Sequence, residues 1–196
     1  MSVVSVAVAG PLADETHPLR GTRPTVEGDG SIALRAATAA DAGAIHALLM
    51  EHLAEGRLLP RELDEVTVHA HRFVVATHDE RVVACAELAP LSRSVSEVRS
   101  LVVTREARDL GVGTAIIDEL IEGAMAAGFD KLCAFTHAPS YFVHLGFSIV
   151  PHVWVPEKIV TDCHACPQFR RCGQYAVVRT LARQPHTFVP LTSLHG

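Results

Sequence analysis

The sequence lacks the features that mark several large classes of protein. Its formal net charge is −5, and among its 17 basic residues only Lys131 and Lys158 are lysines. No basic stripe is therefore available to neutralise nucleic-acid phosphates. No apolar run approaches the roughly 20 residues needed to cross a bilayer. We expect neither a nucleic-acid partner nor a membrane partner.

Signals for export and for several well-known cofactor sites are also missing. The opening residues, 2–9, have no basic segment in front of their apolar run, as a secretory signal would require. Five cysteines without such a signal favour a reducing cytoplasm over a disulfide framework. The chain contains no Walker motif, no GxGxxG and no HExxH.

What the chain does contain is enough for one globular domain. Its 196 residues are 48% hydrophobic and 20% charged, which is ordinary for a protein with a buried core. Residues 1–30 are punctuated by proline and glycine and predict a flexible extension. We expect the domain to span residues 31–182 and to be followed by a tail, 183–196.

Hydrophobic periodicity predicts the order β-α-α-β-β-β-α-β-α-β-β. Thr38 followed by Asp41 predicts the cap of the first helix. The predicted strands are 31–35, 73–76, 81–88, 97–104, 131–136, 147–155 and 175–181. The predicted helices are 38–56, 61–71, 115–127 and 139–145.

The most informative stretch is Arg-Asp-Leu-Gly-Val-Gly-Thr at residues 108–114, between a strand and an amphipathic helix. Glycines let the backbone turn sharply and approach a ligand closely. Free N–H groups at a helix start favour an anion there. An ordinary glycine-rich turn is the alternative. The pattern resembles the acetyl-CoA pyrophosphate loop of the GNAT acetyltransferases, which implies coenzyme contacts from Arg108, Asp109, Leu110, Gly111, Val112, Gly113 and Thr114.

A second GNAT-like segment runs from Tyr141 to Phe147. Gly146 ends a short helix, and Phe147 enters the last part of the core. The two segments together resemble the GNAT fold: an α/β (α+β) domain with a central mixed sheet of six to seven strands and about four flanking helices.

A closer resemblance is to the short, stand-alone bacterial N-acetylglutamate synthases. It covers about residues 31–182 and depends on five segments: 58–61, 83–86, 97–103, 156–159 and the cysteine-rich 162–172. The chain departs from that group at Gly173, where an acidic residue is usual. The resemblance implies acetylation of the α-amino group of L-glutamate, the first step of arginine biosynthesis, by direct attack without an acyl-enzyme.

Two other functions stay open. The domain could acetylate another small amine or a protein N-terminus, in which case a polyamine acceptor would require an acidic pocket. It could also be a non-catalytic acetyl-CoA or redox sensor that works through its cysteines. For the enzyme, we expect a small amino acid as partner and a possible homodimer.

The resemblance also implies catalytic groups. The strand before the glycine loop presents the backbone of Leu101, Val102 and Val103 to the coenzyme, and the N–H of Val102 or Val103 would support the acetyl oxygen as charge develops. Phe142, which the resemblance places among the coenzyme contacts, stands where many GNAT enzymes carry a tyrosine that protonates the leaving thiolate. Its neighbour Tyr141, or water, is the alternative acid.

The expected base and acceptor pocket involve charged residues. Glu97 is the leading proton acceptor, with Glu87 as its competitor. The two carboxylates of glutamate need cationic donors, for which we expect Arg99 and Lys158, with Arg61 as a weaker choice. Strand alternation places Glu97 and Arg99 on one face, which fits either a shared site or a simple ion pair.

The cysteine-rich segment allows a metal site as the lesser alternative. Cys163, Cys166 and Cys172, with His164 or His152, have the composition of a structural zinc site. Reduced thiols, or a redox-labile Cys163–Cys166 pair, are the competing interpretation. The other two cysteines are expected to be buried core thiols: Cys85 and Cys133.

Overall fold

The computed structural model describes residues 23–24, 32–53 and 58–181. The predicted tail and all of the predicted extension except residues 23–24 lie outside this range. The strands are β1 (Arg23–Pro24), β2 (Ala33–Ala36), β3 (Phe73–His78), β4 (Arg81–Pro90), β5 (Val95–Val103), β6 (Lys131–Thr136), β7 (Ser148–Val150) and β8 (Tyr175–Thr180). The helices are α1 (Ala42–Glu51), α2 (Leu63–Val68), α3 (Val112–Ala126), α4 (Pro139–His144) and α5 (Pro156–Thr161).

The strands form one mixed sheet in the order β1-β2-β3-β4-β5-β6-β8-β7. Only β5 and β6 pair in parallel, and all other neighbours are antiparallel. The predicted fold class is confirmed. The two-residue β1 adds to the seven strands that the sequence predicts.

Strand alternation places a helical layer on each face of the sheet. Val74 faces α3 and packs in the cluster that contains Ile116, whereas its neighbour Val75 faces the opposite way, toward Ile45 of α1. All four side chains are fully buried. The β-strand period of two therefore divides the core between the two faces of the sheet, with α3 on one face and α1 on the other.

The region after α4 differs from the sequence prediction. A strand was expected over 147–155, but β7 ends at Val150. Pro151 has no N–H to donate to a neighbouring strand, and a 3-10 turn, His152–Trp154, follows it. Pro156 then occupies the first position of α5, a helix that was not predicted.

The predicted helix over 61–71 is also shorter, since α2 covers Leu63–Val68 and a 3-10 turn, Ala70–Arg72, follows it. None of the helices in the described ranges is long and apolar enough to cross a bilayer.

Candidate active site

The site begins where the two parallel strands separate. β5 pairs with β6 only from Val95 to Val98, whereas β6 continues to Thr136 against β8. The pairing of β5 with β4 shifts register just beyond this point, at Ser100, which has a φ of 53°. A β-bulge of this kind bends its strand. Among the described residues, the far end of β5 consequently pairs with no strand on the β6 side.

This separation leaves the backbone of Val103 facing an open cleft. Thr104 donates its N–H to the carbonyl of Val83 at 2.9 Å, so Thr104 and Val83 form the hydrogen-bonded pair. The N–H and C=O of the preceding Val103 therefore point away from β4. Arg108 Nε donates to that carbonyl at 3.1 Å. Of the two expected oxyanion donors, Val103 rather than Val102 has its N–H directed into the cleft.

The glycine loop closes one end of the cleft. Gly111 precedes α3 with a φ of 76°, a conformation that glycine adopts without strain. The 15-residue α3 starts at Val112, so its free N–H groups and positive dipole end face the opening beside β5. Leu110 is exposed, and its side chain does not contribute to the wall. The loop fits a pyrophosphate, which needs close backbone approach and N–H donors.

Tyr141 and Phe142 lie on different sides of α4. Phe142 is buried against Phe147, with ring centroids 5.3 Å apart, and its ring also meets that of Tyr141 edge-on at 5.4 Å. Both residues border the cleft, and the buried hydroxyl of Tyr141 has no well-formed hydrogen bond among the described residues. Burial raises the pKa of Tyr141, while the nearby Thr114 hydroxyl opposes the shift. The hydroxyl therefore keeps its proton at neutral pH.

At the opposite end of the cleft, four charged side chains form a closed ring. Glu97 accepts from Arg99 Nε at 2.5 Å and from Lys158 Nζ at 2.8 Å. Asp162 also contacts both Arg99 and Lys158. Burial alone would lower the pKa of Arg99, but Glu97 and Asp162 raise it above its usual value, so the guanidinium stays charged. Lys158 also lies 5.6 Å from the ring centroid of Phe135.

Arg61 belongs to a second charged group beside this ring. Its guanidinium donates to Glu87 at 2.9 Å and to the Ser100 hydroxyl at 3.1 Å, and it pairs with Glu65 at 2.8 Å. Glu87 is almost fully buried and does not line the cleft, whereas Arg61 does. This arrangement distinguishes the two candidate bases, Glu97 and Glu87, because of the two only Glu97 borders the space where a substrate would lie.

One continuous cleft of about 1330 Å³ joins these parts. The glycine loop, the open end of β5, Tyr141 and the charged ring all border it. The structure thus brings together the expected coenzyme and acceptor residues, apart from the Leu110 side chain. Sequence reasoning missed Asp162 as part of the ring. Its spacing of four residues from Lys158, across a helical turn, was the available signal.

The cysteine-rich segment forms one wall of the cleft, next to the ring. Cys163, Cys166 and Cys172 all line it. Within the described ranges, no three or more histidine, cysteine, aspartate or glutamate side chains are grouped to hold a metal ion. His152, the alternative zinc ligand, already uses Nε2 in a 2.9 Å hydrogen bond with the carbonyl of Gln174. The structure therefore gives the zinc interpretation no support.

Cys85 and Cys133 are fully buried, as expected. Burial raises the pKa of the Cys85 thiol to about 12 and raises that of Cys133 further. Neither thiol is suited to act as a nucleophile.

A glycine turn at a helix start, opposite a strand opened by a bulge, provides an anion site and a free backbone N–H in one cleft. This arrangement fits an acyltransferase that uses a phosphorylated acyl carrier. Residues 43–147 match the model of the acetyltransferase (GNAT) family, and the chain belongs to that family.

Comparison with individual proteins agrees with this assignment. An uncharacterised N-acetyltransferase of Chlorobaculum tepidum is 29% identical over 148 residues, which cover 76% of this chain and 96% of that protein. The amino-acid acetyltransferase of Neisseria meningitidis is 25% identical over 80% of this chain, but the match spans only 36% of that longer protein.

A solved structure is also similar. The N-acetylglutamate synthase from Neisseria gonorrhoeae, complexed with coenzyme A and N-acetyl-glutamate, superposes with a TM-score of 0.70 at 25% identity, covering 78% of this chain and 35% of that one. The protein is an acetyl-CoA-dependent N-acetyltransferase, and acetyl-CoA is its cosubstrate.

Proposed function

We infer that the protein transfers the acetyl group of acetyl-CoA to the α-amino group of L-glutamate, the first step of arginine biosynthesis. The observation that carries this inference is the single cleft with an anion-binding loop at one end and Arg99, Lys158 and Arg61 at the other. Glutamate carries two carboxylates, for which cationic donors are the matching partners. The similarity to the N-acetylglutamate synthase of Neisseria gonorrhoeae supports the same acceptor.

At the coenzyme end, the backbone makes the main contribution. The N–H groups at the start of α3, together with Arg108, bind the pyrophosphate. The N–H of Val103 faces the cleft and donates to the acetyl oxygen as negative charge develops there. A preorganised donor of this kind needs no rearrangement during the reaction.

At the acceptor end, Glu97 receives the proton that the ammonium must lose before the amine attacks. It borders the cleft, unlike Glu87, and it adjoins the cations that would orient the acceptor. Direct attack needs no acyl-enzyme, in agreement with the buried state of Cys85 and Cys133.

Tyr141 protonates the thiolate of coenzyme A as it leaves. Tyr141 borders the cleft, and its hydroxyl, buried beside the glycine loop, keeps its proton, whereas Phe142, at the usual tyrosine position, has no proton to give. A shift of one residue along α4 turns a side chain by about 100°, and Tyr141 consequently reaches the cleft from a different direction.

The test is release of coenzyme A by the purified protein, measured with acetyl-CoA and each of the common amino acids, spermidine and a short peptide. We expect selective turnover of L-glutamate, with N-acetyl-L-glutamate identified by mass spectrometry. The matched control is Gly113→Glu, which places a negative side chain in the loop and should abolish turnover of every acceptor. Turnover of another amine in preference to glutamate would overturn the proposed acceptor, and coenzyme binding without turnover of any would favour the sensor.

A further inference from the structure

The charged ring in the cleft is electrically balanced without any substrate. Its two carboxylates, Glu97 and Asp162, each contact both cations, Arg99 and Lys158. Lys158 Nζ lies 2.8 Å from an oxygen of each carboxylate. The four formal charges sum to zero. Two of the three cations proposed to bind an acceptor, Arg99 and Lys158, are therefore already occupied by groups of the protein.

The two carboxylates of the ring are not equivalent. The side chain of Glu97 is 3% exposed, and it belongs to the central strand β5. The side chain of Asp162 is 37% exposed, and it follows the last residue of α5. No residue of α5 or of the next 3-10 turn, Cys163–Ala165, is buried. Asp162 can therefore leave the cations without disturbing the core, whereas Glu97 cannot.

Charge balance requires one carboxylate to leave when another arrives. If a substrate carboxylate joined the intact ring, three carboxylates would share two cations, and like charges would meet in a partly buried site. If Asp162 turned out to solvent, the remaining Glu97, Arg99 and Lys158 would carry a net charge of +1, which one substrate carboxylate neutralises.

We propose that Asp162 occupies the position of an acceptor carboxylate and is displaced by it when the acceptor binds. Asp162 is then a specificity-determining residue: it neutralises the cations in the free enzyme, and only a ligand that supplies its own carboxylate can replace it. This inference builds on the proposed acceptor chemistry, but it concerns carboxylate binding, which can be measured without turnover.

The experiment measures the dissociation constant of glutarate, a dicarboxylate without an amino group, by isothermal titration calorimetry on the wild type and on Asp162→Asn. Removing the Asp162 carboxylate, which is partly exposed and competes with glutarate for the cations, should tighten glutarate binding by about twofold to fivefold. In kinetics, the KM for the acceptor should fall by a similar factor while kcat changes less. If Asp162 only oriented Arg99 and Lys158, Asp162→Asn would instead weaken glutarate binding.

Two further variants make the result specific. Glu157→Gln removes one negative charge from the same helix outside the ring and should leave glutarate binding unchanged. The double variant Asp162→Asn/Arg99→Gln should bind glutarate no more tightly than the wild type. Thermal unfolding and acetyl-CoA affinity verify that each variant is folded, and Asp162→Ser replaces Asp162→Asn if the latter does not fold.

The outcomes separate the two proposals. Tighter glutarate binding in Asp162→Asn supports the displacement even if the wild type does not acetylate glutamate, in which case only the acceptor assignment falls. Unchanged or weaker glutarate binding in a folded Asp162→Asn overturns the displacement, even if glutamate proves to be the acceptor.

Discussion

The hydroxyl of Tyr141 lies directly against the backbone of Gly113, so a β-carbon built on that glycine would stand 2.8 Å from the phenolic oxygen. The loop that is proposed to bind the pyrophosphate and the group that is proposed to protonate the thiolate thus touch each other. A side chain at residue 113 would therefore have to displace Tyr141. The contact also means that a change in either residue should alter the position of the other.

Gly113→Ala should weaken acetyl-CoA binding by about tenfold, because the methyl group displaces Tyr141 and blocks close backbone approach. The measurement is the dissociation constant of acetyl-CoA by calorimetry. Gly43→Ala is the matched control, since a β-carbon there meets no atom within 4 Å. The double variant Gly113→Ala/Tyr141→Phe should recover part of the affinity. An unchanged dissociation constant in Gly113→Ala would show that the coenzyme does not use this loop.

Tyr141→Phe should lower kcat by about 100-fold, the usual contribution of a general acid, with little change in the KM for acetyl-CoA. Because burial raises the pKa of Tyr141 above its usual value near 10, the wild-type kcat should not fall through loss of this proton below about pH 10. Phe142→Leu is the control, and it should lower thermal stability without altering the pH–rate profile. Full activity in Tyr141→Phe would show that water, and not Tyr141, protonates the leaving thiolate.

Glu97→Gln should lower kcat by about 100-fold and remove the acidic limb of the pH–rate profile, since the amide cannot accept a proton. Coenzyme affinity should be unchanged. Glu87→Gln is the informative comparison. Glu87, which does not line the cleft, pairs with Arg61, which does, so the loss of its charge should raise the acceptor KM and keep the acidic limb. An acidic limb that persists in Glu97→Gln would eliminate Glu97 as the base.

Asp41→Asn should destabilise the fold in a pH-dependent way. Asp41 receives hydrogen bonds from Arg35 and from the backbone N–H of Thr38, and these hold its pKa far below the usual value of 3.8. The stabilisation is complete above the unfolded-state pKa and is lost as the pH falls toward the folded-state pKa. At pH 7 the variant should lose about 1 kcal/mol, or about 3 °C in Tm.

Below about pH 4, where unfolded aspartate takes up a proton, the difference in Tm between the wild type and Asp41→Asn should shrink. Thermal unfolding followed by circular dichroism between pH 3 and pH 8 measures it. Asp64→Asn, an exposed change in the first turn of α2, serves as control. A difference in Tm that is independent of pH would contradict the ion-pair explanation.

Local signals predicted most of the fold and the place of the glycine loop before α3. The glycine spacing of residues 108–114 identifies the loop because the geometry is encoded within seven consecutive residues. Strand alternation correctly placed Glu97 beside Arg99, since residues two apart share a face. In both cases the determining interaction is close in sequence.

The acceptor end could be predicted only in part, because its contacts join distant segments. Lys158 reaches Glu97 across 61 residues, and no spacing rule predicts such a contact. The bulge at Ser100, which opens the cleft, depends on pairing with β4 rather than on a glycine or proline in the strand. The direction of Tyr141 follows from the packing of Phe142 against Phe147 in the core.

The most direct test of the central claim, that one cleft holds both coenzyme and acceptor, is a crystal structure of the protein with coenzyme A and N-acetyl-L-glutamate. We expect the pyrophosphate against the N–H groups of residues 110–114, and a carboxylate within hydrogen-bonding distance of Arg99 or Lys158. Coenzyme bound away from the glycine loop, or N-acetyl-L-glutamate bound without contact to either cation, would contradict the account.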